Sequence, residues 1–105
     1  MSSEPAATTQ STHSRARVAV TVRYWAAARS AAGIDSEHVE VGEPATLATV
    51  LAAVRGLHPD RPGLPGVLDV CSALVGDRPV GASDPSDVAV HPGDTVELLP
   101  PFAGG

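Results

Sequence analysis

Residues 17–25 read Arg-Val-Ala-Val-Thr-Val-Arg-Tyr-Trp (RVAVTVRYW). Val18, Val20, Val22 and Tyr24 fall on one face of an extended chain, while Arg17, Thr21 and Arg23 fall on the other. Alternation with period two, carried by β-branched residues, predicts a strand with one buried face. Such a face needs a cover, and the sequence supplies one downstream. Pro44-Ala45 leads to Thr46 as helix cap, after which Leu47, Val50, Leu51 and Val54 repeat at helical spacing, with Leu57 as a further extension. That stripe is a core face rather than a binding groove.

The other elements fall around this pair. Residues 26–33 (AAARSAAG) are strong helix formers closing on Gly33, which predicts a short helical turn with a glycine cap. In the run 37–42, Val39 and Val41 share one face and His38 and Glu40 point outward, giving a second strand. Residues 58–66 (HPDRPGLPG) hold three prolines and two glycines and predict a loop. A third strand is expected near Leu68 to Val75, turning at Gly76-Asp77 into Arg78-Pro79-Val80. His91-Pro92-Gly93-Asp94 makes a tight turn into a last strand, Thr95–Leu99, with Val96 and Leu98 on one face. Strands outnumber helices and no βαβ alternation continues. The expected class is α+β, with one main helix on a mixed sheet of about four to five strands.

A chain of 105 residues is one domain with a modest core. Residues 1–16 are rich in Ser, Thr, Ala and Pro without periodicity and are expected to form a disordered tail. The folded domain is expected over 17–101, with 102–105 as a flexible end. The net charge is −5, with seven arginines and no lysine, which argues against nucleic acid or an anionic membrane as partner. No apolar stretch reaches spanning length, and residues 1–16 have no hydrophobic signal core, so a cytoplasmic location is expected. A single cysteine, Cys71, allows no internal disulfide and no metal-ligand set. Nothing basic flanks it, so it reads as a buried, inert thiol. His91 reads as a turn residue. No nucleophile, base and orienting group assemble from these residues, and no phosphate-cradling glycine loop is present.

The chain closes on Pro100-Pro101-Phe102-Ala103-Gly104-Gly105. With the Val-x-Val-x-Tyr-Trp-Ala strand ending at 26, the helix from 46 and the Pro-Gly-Asp-Thr-Val segment at 92–96, this resembles the MoaD/ThiS family of sulfur carriers. The resemblance covers roughly residues 17–105, and the double proline is most similar to the molybdopterin synthase branch. It implies a ubiquitin-like β-grasp fold. It also implies a chemistry in which a partner of the ubiquitin-activating type uses ATP to adenylate the carboxylate of Gly105. A persulfide-bearing enzyme then supplies sulfur to give a thiocarboxylate, which a larger synthase subunit receives. No cofactor is implied on this chain itself. By the same resemblance Pro100, Pro101, Phe102, Ala103 and Gly104 form the tail that enters the partner's channel. Delivery to thiamine thiazole or to cysteine synthesis stands beside this reading, as does a non-reactive ubiquitin-like binding module.

Physical chemistry accords with a reactive end. A terminal carboxyl ionises near pH 3.5 and can attack a phosphate at neutral pH, but is a poor acyl donor until its oxygen leaves easily. Glycines admit close backbone approach, and prolines stiffen the base of the tail. Phe102 carries two readings, an apolar anchor in the partner or a residue folded back on the domain. The missing lysines also carry two, overall composition or avoidance of an amine that would capture the activated end.

Overall fold

The structure, a computed structural model, describes residues 17–101. Strand β1 spans Arg17–Tyr24, helix α1 Ala26–Ala32, β2 Ser36–Gly42, α2 Leu47–Leu57, α3 Leu64–Val70, β3 Ser72–Val75, β4 Arg78–Pro79 and β5 Thr95–Leu99, with a short 3-10 turn at Pro85–Asp87 before β5. The five strands form one sheet in the order β2-β1-β5-β3-β4. β1 pairs antiparallel with β2 and parallel with β5, and β5 pairs antiparallel with β3. This is the ubiquitin-like β-grasp, with the last strand at the centre of a mixed sheet.

The alternation in β1 does what its pattern requires. Val18, Val20, Val22 and Tyr24 are all buried, and they meet Val39 and Val41 of β2 and Val96 and Leu98 of β5 in one core. Helix α2 covers that face with Leu47, Val50 and Val54. Thr46 caps it, accepting from the Thr49 N–H at 3.2 Å while Thr49 Oγ1 accepts from the Thr46 N–H at 3.0 Å. Leu57 departs from the helical stripe and is 52% exposed. Gly33 ends α1 in the left-handed region at φ 84°, and the Arg61 guanidinium occupies the place a Cβ there would need.

Two expectations are corrected between β2 and β3. The third strand begins at Ser72, not near Leu68, and the stretch before it is helix α3. The loop predicted over 58–66 is likewise shorter, since α3 starts at Leu64. Pro65 sits in its first turn, where a missing N–H costs nothing. Leu64 and Leu68 lie one turn apart and both enter the core, which outweighs the turn signals around them. Cys71 accordingly stands at the C-terminal cap of α3 rather than inside a strand, and it is half-buried.

Candidate functional site

The sheet delivers the end of the chain from its middle strand. Leu99 pairs with Ser72 across the antiparallel ladder and stands one residue beyond the Tyr24–Leu98 pair of the parallel ladder. Pairing stops there, because Pro100 and Pro101 have no N–H to give. Pro100 is half-buried and Pro101 exposed. Gly105, to which the resemblance assigns the reaction, and Phe102, Ala103 and Gly104 of the channel-entering tail lie outside the described residues.

The face of the sheet away from the helices carries a cluster at this exit. Arg23 and Glu97 are register partners in β1 and β5, and both alternate with core residues, so both face outward. Trp25 follows on the same side. Its indole Nε1–H donates to Glu97 Oε1 at 3.0 Å, its main-chain N–H donates to Leu98 O at 3.2 Å, and the Arg23 guanidinium lies 4.9 Å from the ring centroid. At 38% exposure Trp25 is one of the few large apolar side chains at the surface among the described residues. Ala26, next to it, holds φ 49°. Sequence reasoning placed Arg23 outward but missed the cluster. The parity of Glu97 between Val96 and Leu98 was the available signal, and it becomes informative once β1 and β5 are known to run side by side.

A second polar group lies on the helix side at the same end of the sheet. Glu37 occupies the core-facing parity of β2, and its Oε2 accepts from the Tyr24 hydroxyl at 2.5 Å and lies 2.6 Å from His58 Nε2. Tyr24 and His58 meet edge to face, 6.5 Å between centroids. Burial first, then the bond to Glu37 and its charge, push the Tyr24 hydroxyl well above the ordinary tyrosine value. The sequence reading passed over Glu37 and His58 because neither declares a partner until β2 and the end of α2 are brought together. This group binds three elements and opens no site for a substrate.

Nothing else described here has the makings of a catalytic constellation. Burial pushes the Cys71 thiol up, away from the reactive thiolate. His91 closes its own turn, donating its N–H to Asp94 Oδ2 at 2.8 Å while its carbonyl accepts from the Asp94 N–H at 3.0 Å. His38 is exposed on β2. Among the described residues no three metal-capable side chains come together, and no helix is long and apolar enough to cross a membrane.

Comparison with known proteins extends the picture to the residues beyond 101. The model of the ThiS family matches residues 22–105. The molybdopterin synthase sulfur carrier subunit of Chlamydomonas reinhardtii is 30% identical over 86 residues, covering 82% of this chain and 98% of the relative. The solution structure of the Haloferax volcanii HVO 2177 protein superposes with a TM-score of 0.68 at 31% identity, covering 86% of this chain and 89% of that one. In a complex of subunits 1 and 2 of the molybdopterin-converting factor from Helicobacter pylori, a matching chain has a TM-score of 0.54 at 23% identity. That match covers 84% of this chain and all of the other, and shows a shared fold.

Proposed function

The chain belongs to the ThiS family of sulfur carriers, and from that premise we propose that it is the sulfur-donating small subunit of a molybdopterin synthase, with the carboxylate of Gly105 as the reacting group. A partner of the ubiquitin-activating type transfers AMP from ATP to that carboxylate and releases pyrophosphate. The outer sulfur of an enzyme persulfide then attacks the acyl carbon and AMP leaves. A second thiol takes the persulfide's cysteine sulfur into a disulfide, and the thiocarboxylate so released enters the large synthase subunit, where the sulfur passes to a pterin precursor. The observation that carries this reading is the 30% identity to a molybdopterin synthase sulfur carrier across 98% of that relative's length.

The described body accounts for its side of the task. A mixed anhydride hydrolyses in open water, so the activated end must be handled inside a closed partner site. A compact sheet that ends on two prolines offers such a site a narrow, stiff approach instead of a broad surface. Gly104 and Gly105 let the partner's walls close around bare backbone.

The test is an intact mass of the protein taken from its own cell. Exchange of one oxygen for sulfur on the peptide ending at Gly105 is the expected result. Its continued absence after supply of an activating enzyme, ATP and a sulfur source overturns the carrier reading. Co-purification then assigns the pathway. A molybdopterin synthase large subunit is expected, and a thiazole synthase or a cysteine-releasing hydrolase in its place would move the protein to another branch.

A further inference from the structure

Past Leu99 the central strand loses the means of holding itself. Pro100 and Pro101 donate to neither β1 nor β3, so the direction in which the chain leaves the sheet is set by the last residues that are held, Glu97 to Leu99. Trp25 grips two of these three. One bond goes from its backbone to Leu98 O and one from its indole to Glu97 Oε1. The Arg23 cation over the ring face and the carboxylate at its edge favour the same ring orientation. Ala26, which follows, is the one non-glycine residue with positive φ among the described residues. That conformation costs about 1–2 kcal/mol, and strain of this kind tends to collect where geometry serves function.

We propose that Trp25 is a positioning residue for the carboxyl-terminal tail, locked by Arg23 and Glu97 so that Pro100-Pro101 leaves the sheet in one direction, aligned for a partner's channel. What enters the channel rests on the carrier reading above; the clamp itself does not. Fixing the exit direction in advance spares the partner the cost of ordering it. Loosening the clamp therefore weakens association only when there is a tail to insert.

A mutant cycle tests this by isothermal titration with the molybdopterin synthase large subunit. Trp25→Phe keeps an aromatic surface but has no N–H for Glu97. It is compared with the wild type in the full chain and in a chain ending at Pro101. Among the described residues the buried core lies between Val18 and Leu98, so the shortened chain keeps every one of those core residues. Its thermal unfolding is compared with that of the full chain as a check on folding. The expected loss is about fivefold in the full chain and less than about twofold in the shortened one. Glu97→Ala repeats it, and Glu97→Gln, which keeps a carbonyl oxygen for the indole, recovers most of it. An equal loss with and without the tail, or none in the full chain, overturns the proposal. If the wild type does not bind the large subunit, the pathway reading fails while the clamp is still decided on the free chain. There, amide hydrogen exchange at Leu98 and Leu99 is expected to quicken severalfold in Trp25→Phe with Val20 and Val22 unchanged, and unaltered exchange at Leu98 and Leu99 overturns it.

Discussion

Tyr24 holds its hydroxyl 2.5 Å from a carboxylate in a place water hardly reaches, and is itself 2% exposed. Because its proton is bound more tightly in the folded chain than in the unfolded one, the stability this supplies is fully present below the ordinary value near 10. It is lost as pH rises above it, by up to about 1.4 kcal/mol per pH unit. Denaturation midpoints measured from pH 8 to 11 are expected to fall as pH passes the ordinary values of the two raised groups, Cys71 and then Tyr24, and Tyr24→Phe is expected to make the fall above pH 10 shallower. Burial raises the Cys71 thiol in the same direction. That raised thiol is expected to react with iodoacetamide at pH 8 more slowly in the native chain than in urea, and an equal rate would count against it. At this scale the sequence is readable in parity and silent in partnership. Alternation with Val39 and Val41 puts Glu37 inward, yet nothing local reveals that Tyr24 and His58 await it there.

Among the elements, β1, β2, α2 and β5 are legible because their signals agree: alternation, helical spacing and cap chemistry point the same way. α3 is not, because Gly63, Pro65 and Gly66 advertise a turn while the burial of Leu64 and Leu68 decides the outcome. Tertiary packing overrides local preference there. Two substitutions measure the local terms directly in thermal unfolding. Thr46→Ala removes the side-chain half of the capping box and is expected to cost about 1 kcal/mol. Ala26→Gly frees the one described non-glycine residue at positive φ and is expected to gain up to about 1 kcal/mol, despite the usual cost of glycine. A loss of stability in Ala26→Gly would show that Ala26 is not strained.

For the whole molecule, body and tail are separable in principle. Among the described residues the core closes between Val18 and Leu98, and the proposed reaction is at Gly105. One residue added after Gly105 is therefore expected to leave the melting temperature unchanged and to abolish sulfur loading, read by intact mass. Loading at the wild-type rate would return the chain to the status of a binding module. The parallel pairing of Thr21–Tyr24 with Thr95–Leu98 has a different consequence, one of time. The β1–β2 hairpin can close early, since its strands are neighbours in the chain, but β5 must return across nearly the whole described sequence before the sheet has a centre. Loop closure over that span is entropically expensive and is met before the contacts that reward it. A fragment lacking β5 has no central strand, so the sheet is expected to complete only when the strand that leads into the tail arrives.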